Sequence, residues 1–253
     1  MPWDPRQYLG FAAERARPGL DLLARIPLEG AERIVDLGCG TGNLVPLLRE
    51  RWPEASILGV DTSAEMLAEA ARVPGLRVER ADAATWEPAE APDLIFSNAA
   101  LHWVGEHGTL FPRLLGFLKP GGCLAVQMPG SWALPHHRAA HEAAEDPRWR
   151  DCLRPALPRD PVAPLTDYHR WLAPSARRLD LWESTYLHLL EGEDPVTEWF
   201  KGSLLVPLLE ALPPEHREPF VAAYRARVQA AYPPGPGGRT PMPFRRVFIV
   251  ASR

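Results

Sequence analysis

The 253-residue chain is long enough to bury a full core, and one domain carrying an insertion is the expected organisation. A net charge of −4, an isoelectric point near 6.1 and the lack of any basic cluster argue against a nucleic-acid-binding surface and for small-molecule work. Cys39, Cys123 and Cys152 are odd in number and lack CxxC spacing, so neither disulfides nor a zinc site is expected. No apolar run approaches the ~18–20 residues of a membrane span and no leader pattern follows Met1, so the expected location is the cytoplasm, with no membrane partner.

The segment from Trp3 to Ile26 repeats Tyr8, Phe11 and Ala12 at three- to four-residue spacing, which predicts a helix interrupted at Pro18. Residues 1–30 either fold over a ligand as a lid or pack as a surface helix. Ile34-Val35-Asp36-Leu37 then reads as a short buried strand, Gly38, Gly40 and Gly42 as a turn, and Leu44 to Arg51 as a helix stopped by Pro53. Strand, glycine turn and helix bring backbone N–H groups up to a polar ligand.

The spacing is G-x-G-x-G, not the G-x-G-x-x-G that cradles a pyrophosphate. Asp36, two residues before the first glycine, suits a ligand with an ammonium group. Ile57 to Asp61 reads as a second strand ending in an acid, about 20 residues on, where nucleotide-binding sheets grip ribose hydroxyls. A ribose, a cationic amino-acid end and no phosphate together describe S-adenosylmethionine, leaving S-adenosylhomocysteine as product. The bland alternative is an ordinary turn of an α/β sheet.

Thr62 to Arg72 is predicted helical, with Ser63 as N-cap and Met66, Leu67 and Ala70 facing inward. Leu76 to Glu79 alternates as a strand and leads to Asp82, a candidate acceptor for an adenine amino group or else a solvated turn residue. Cys39, Asn43, Thr62 and Ala83 near the three acids, with Asn98 and Ala99 at the end of the next strand, complete the expected cofactor set, together with Tyr8 and Arg15 from the N-terminal segment.

Asp93 to Asn98 reads as a buried strand opening into Ala99-Ala100-Leu101-His102-Trp103. Methylases acting on exocyclic amines of bases carry Asn/Asp-Pro-Pro-aromatic here, so Asn98-Ala99-Ala100-Leu101 counts against a nucleic-acid acceptor. His102 and Trp103 are candidates for positioning a substrate; a structural hydrogen-bonding role for His102 is the competing reading.

His107 to Leu118 is predicted as a helix and Cys123 to Met128 as a fifth strand. A helix over Pro135 to Glu145 precedes a proline-rich, charged stretch, Asp146 to Pro164, expected to be surface loop. Tyr168 to Leu172 reads as helix, Leu181 to Leu190 as a long strand, Pro195 to Ala231 as two or three helices, and Phe244 to Ala251 as a closing strand. The pattern is α/β, a doubly wound sheet with a helical insertion placed over the C-terminal ends of the first strands. The expected boundaries are a lid over 1–30, a cofactor-binding core over 31–191, a cap over 192–238 and a final strand within 239–253.

These residues resemble the Class I S-adenosylmethionine-dependent methyltransferases and, more narrowly, the trans-aconitate 2-methyltransferase family. The likeness runs along nearly the whole chain. It includes Trp3-Asp4-Pro5 with Glu14-Arg15-Ala16-Arg17-Pro18, Asp36-Leu37-Gly38-Cys39-Gly40, Asp93 to Ala99, Leu124 to Pro129 with Trp132, and the ending Phe244, Arg246 and Phe248 to Ala251. The resemblance implies a seven-stranded, mostly parallel Rossmann-like sheet with an antiparallel last strand, a helical cap, and methyl transfer to a carboxylate of trans-aconitate. There are departures. Where family members often read Gly-Thr-Gly-Leu-Arg-Pro, this chain has Gly202-Ser203-Leu204-Leu205-Val206-Pro207, and Arg245 stands at a usual Pro.

A carboxylate is already an anion at neutral pH, so no general base and no metal are expected, and arginines should hold the carboxylates that do not react. Arg246, with Arg17 or Arg15, is the expected grip, and Trp103 and Trp132 the expected walls. The partner is then a small carboxylic acid met by a monomer or weak dimer. A different acceptor (a phenol, an amine or a monoacid), a non-catalytic cofactor-binding module and a nicotinamide enzyme are the alternatives.

Overall fold

A computed structural model describes residues 12–130, 133–157 and 161–253, with backbone alone for 12–16. Its strands are β1 (Arg33–Leu37), β2 (Ser56–Asp61), β3 (Leu76–Arg80), β4 (Leu94–Asn98), β5 (Cys123–Pro129), β6 (Arg178–Leu190) and β7 (Thr240–Ser252). The helices are α1 (Ala12–Ala24), α2 (Val45–Arg51), α3 (Ala64–Ala70), α4 (His107–Gly116), α5 (Pro135–Ala144), α6 (Arg150–Leu153), α7 (Leu165–Leu172), α8 (Pro195–Lys201), α9 (Val206–Ala211) and α10 (Pro214–Ala231).

The strands form one sheet in the order β3-β2-β1-β4-β5-β7-β6. The pairs β1–β2, β2–β3, β1–β4 and β4–β5 are parallel, and β7 runs antiparallel to β5. The order reverses between β1 and β4, and a sheet of this kind leaves a crevice at the carboxyl ends of the strands on either side of that reversal. Burial on both faces explains why β1, β4 and β5 read as apolar runs, whereas the edge strand β6 alternates along its second half.

The chain divides into two compact units. Among the described residues, one comprises 15–130, 161–184 and 246–253; the other comprises 12–14, 133–157 and 185–245. The first holds β1 to β5 and α2, α3, α4 and α7. Here Ser63 caps α3 by accepting the Met66 N–H at 3.2 Å, as its sequence position predicts. Arg51 at the end of α2 donates to the Leu23 and Ile26 carbonyls, which fixes the C-terminal end of α1.

In the second unit α5 packs on α10, around a core that includes Trp149, Trp199, Phe200, Phe220 and Tyr224. Trp149 donates its indole N–H to the Ala143 carbonyl at 2.8 Å and meets Phe220 edge-on at 5.9 Å. Among the described residues no helix is long and apolar enough to cross a membrane.

Two local expectations change. Pro18 does not interrupt α1, which runs from Ala12 through it to Ala24. Close packing offsets the lost backbone hydrogen bond: Pro18 and Gly19 are buried, Gly19 so close to Leu44 that a Cβ there would sit 3.0 Å from its Cδ1. The stretch from Asp146 to Pro164 is not all surface loop. It contains α6, and Trp149 and Leu153, four residues apart, are buried in the core of their unit. Proline and charge around them hide that single helical turn.

Candidate active site

The glycine turn after β1 is built by φ angles that side chains resist: +78° at Gly38, +55° at Gly40 and +74° at Gly42. A Cβ on Gly38 would also lie 2.1 Å from that of Ala100. The backbone donors of this turn are mostly spent within the fold. Gly38 N–H and Cys39 N–H both donate to the Val60 carbonyl, at 2.7 and 3.0 Å, and Gly42 N–H donates to the Cys39 carbonyl at 2.9 Å. Gly40 N–H donates to Asp61 Oδ2 at 2.9 Å. A turn that keeps so few N–H groups for a ligand is poorly equipped to cradle phosphates. This supports the phosphate-free ligand inferred from the spacing.

Asp36 is 3 % exposed, and its carboxyl pKa is pushed up to about 7, by burial first and then by the Asp61 charge. A buried acid of this kind gains from a ligand cation. Asp61 accepts the Ser63 N–H through Oδ1 at 2.9 Å, so it braces the turn and the start of α3 at the position where the sequence pattern expects a ribose contact. Cys39 is buried, and burial followed by the charges of Asp36 and Asp61 raises its thiol pKa, so it is a packing group here. Met66 reaches over the turn, its sulfur 3.4 Å from where a Gly40 Cβ would be. Asn43 and Thr62 are exposed beside it.

Asp82 is exposed after β3 and accepts the Ala84 N–H through Oδ1 at 2.9 Å. Its loop is gripped from α4: Arg113 donates to the carbonyls of Ala83, Ala84 and Trp86, at 2.9, 2.6 and 3.2 Å. Nothing in the spacing of Arg113 announces that role. It depends on α4 lying against the loop.

At the end of β4, Ala99 has φ +54°, a left-handed conformation that costs a non-glycine residue about 1–2 kcal/mol. Its N–H donates to the Gln127 carbonyl at 2.9 Å. The strained step leads into the turn holding His102 and Trp103. Trp103 is 55 % exposed and its ring lies 4.6 Å from that of His102. A second histidine nearby, His107, is buried between the Tyr168 hydroxyl at 2.6 Å and the Leu101 carbonyl at 3.0 Å. Burial lowers its pKa, so it braces this turn as a neutral ring.

Of the residues expected to hold substrate, Arg246 is 5 % exposed on β7, opposite Pro129 of β5. Its neighbour Arg245 points the other way and is exposed, and Arg17 is exposed on α1. Arg15 is described by its backbone alone, and Tyr8 and Trp132 lie outside the described residues. Gln127 is fully buried on β5, and its only signal in the sequence is one amide inside the apolar run Leu124 to Met128.

Residues 34–122 match the family described as a methyltransferase domain. The chain is 47 % identical to a trans-aconitate 2-methyltransferase of Methylobacterium nodulans over 99 % of this chain and 98 % of that one. It is 46 % identical to the enzyme of that name from an Azoarcus species, over all of both chains. Among solved structures, the YcgJ protein of Bacillus subtilis is similar at TM-score 0.60 and 14 % identity, over 93 % of this chain and 97 % of that one. A Haemonchus contortus phosphoethanolamine N-methyltransferase, solved with S-adenosyl-L-methionine, is similar at TM-score 0.55 and 17 % identity, over 94 % of this chain and 52 % of that one. At those identities the likeness is one of fold.

Proposed function

This chain belongs to the trans-aconitate 2-methyltransferase family and is an S-adenosylmethionine-dependent methyltransferase, and we propose that it forms a methyl ester on a small polycarboxylate, trans-aconitate first among them. The observation that carries the choice of acceptor is the burial of Arg246, 5 % exposed, on the sheet that also buries Asp36. A guanidinium taken out of water is worth its desolvation where it meets a planar anion with two oxygens.

The donor supplies a methyl group on a cationic sulfur: an O–CH₃ bond forms as the CH₃–S bond breaks, the electron pair stays on sulfur, and no proton moves. The protein's residues then have three tasks. Asp36, Asp61 and Asp82 hold the donor by its ammonium, ribose and adenine ends. Arg246 holds a carboxylate that does not react. Trp103, in the turn after β4, shields the reacting groups from water. Placing the two reactants in line contributes about 7–11 kcal/mol to the rate, and no residue is needed as a base because a carboxylate of pKa about 4 is already ionised. His102 therefore positions and does not deprotonate. A soluble donor and a small anionic acceptor suit a cytoplasmic enzyme acting as a monomer or weak dimer.

Val206 stands where an arginine is common in the family, which favours an acceptor with fewer charges as the second reading. Incubating the purified protein with methyl-labelled donor and a panel of tri-, di- and monocarboxylic acids, phenols and amines tests both. Base-labile label on trans-aconitate or a related polyacid is the expected result. Label found only on phenols or amines, stable to base, overturns the proposal.

A further inference from the structure

One face of the sheet carries a row of polar side chains fixed by strand register. Asp36 pairs with Phe96, Asn98 with Gln127, and Pro129 with Arg246. Register partners share a face, and so do residues two apart on a strand. Asp36 of β1, Asn98 of β4, Gln127 of β5 and Arg246 of β7 therefore lie on one face of four successive strands. Three strand spacings of about 4.8 Å, about 14 Å, separate the acid from the guanidinium across the sheet, and the register adds four residues, about 13 Å, along the strands. The row runs from anion through two neutral amides to cation.

The two amides are the unexplained part. Gln127 is 0 % exposed, and neither its Oε1 nor its Nε2 has a hydrogen-bond partner among the described residues. The buried Oδ1 of Asn98, beside it, also has none there. A buried amide with both ends unmet is costly, and native folds keep few of them unless something else meets those ends.

We infer that Gln127 is a substrate-contacting, specificity-determining residue whose Nε2 donates to the reacting carboxylate of the acceptor, between the donor cation held at the Asp36 end and the second carboxylate held by Arg246. This rests on the reading of the acceptor as a carboxylate. An amide suits that position better than a cation does. Methyl transfer from a sulfonium to a carboxylate removes both charges, so a cation on the attacking group stabilises the starting anion more than the ester-like transition state. A neutral donor orients the same oxygens with a smaller penalty. The Asn98 amide, one strand spacing away, is placed to meet Gln127 Oε1 with its own Nδ2 once Nε2 is engaged.

The test replaces Gln127 in the full chain and measures kcat and KM on the accepted acid, adenosylhomocysteine affinity and melting temperature. Gln127→Met removes the orphaned amide at nearly constant volume. Expected are a melting temperature unchanged or higher, unchanged adenosylhomocysteine affinity, and kcat/KM lower by about tenfold to a hundredfold, the range of one hydrogen bond to a charged group. Retained kcat/KM in Gln127→Met overturns the inference. Gln127→Glu supplies a second reading if the Met variant does not fold. Ionised, it lacks the donor; protonated, it regains one, so its activity should rise as pH falls while the wild type does not follow. A Gln127→Glu variant with wild-type activity and pH profile overturns the inference equally. Failure of the wild-type protein to methylate any acid would instead refute the proposed function.

Discussion

Asp61 receives the Gly40 N–H on one carboxylate oxygen and the Ser63 N–H on the other, each at 2.9 Å. One side chain thus ties the glycine turn to the start of α3 before any ligand is present. Asp61→Ala should lower adenosylhomocysteine affinity by more than a lost ribose contact explains, because the turn itself relaxes. Each unmet backbone donor adds about 1–3 kcal/mol of cost, so the fold should weaken too. Asp61→Asn, which keeps one acceptor oxygen, should fall between. Calorimetry and thermal melting measure both effects, and an Asp61→Ala protein with wild-type stability would contradict this bracing role.

Asp36 should give donor binding a pH dependence. Its carboxyl pKa is raised to about 7 by burial and then Asp61, and a bound ammonium favours the ionised form. Binding should therefore release a proton, and affinity should rise about tenfold between pH 6 and 7.5. At higher pH it should decline as the ligand's own amino group loses its charge. For stability of the ligand-free fold the sign is reversed: the contribution of Asp36 is complete below 3.8 and is lost as pH rises through about 7. Titration calorimetry in two buffers of different ionisation enthalpy counts the proton, and Asp36→Asn should abolish it.

Arg246→Ala should raise KM for a polycarboxylate about tenfold to a hundredfold, the scale of a charge-assisted pair, with adenosylhomocysteine affinity unchanged. Arg246→Lys should recover only part, since an ammonium lacks the planar fork. An unaltered KM in Arg246→Ala would remove this residue from the acceptor site.

The second unit should be acid-labile. His136 stacks on Phe200 at 4.2 Å and Phe244 at 5.7 Å, with Tyr232 hydroxyl 2.9 Å from Nδ1. Burial, then the neighbouring His137, holds its pKa well below 6.5; burial, then His141, lowers that of His137 to about 4. Both rings are folded in neutral, so their contribution is complete above pH 6.5 and is lost as pH falls toward 4. Melting curves from pH 7.5 to 4.5 should show this loss, and His136→Phe, which keeps the stacking and cannot protonate, should flatten it. A pH-independent melting temperature in the wild type would refute the prediction.

Local pattern carried much of this molecule. Apolar runs at β1, β4 and β5 announce strands buried on both faces, Ser63 announces a helix start, and three alternate glycines announce a tight turn, because each signal acts over a few neighbouring residues. What sequence could not give was pairing across distance. That Asp61 binds Gly40, that Arg113 holds the Asp82 loop, and that Trp149 of a proline-rich stretch is core are contacts between residues 21, 30 or more positions apart, or hidden by unpromising neighbours. Register decided the rest. Asp36, Asn98, Gln127 and Arg246 are scattered over more than 200 positions, and only the order β1-β4-β5-β7 puts them on one face, because hydrogen-bonded strands align side chains that the chain itself keeps far apart.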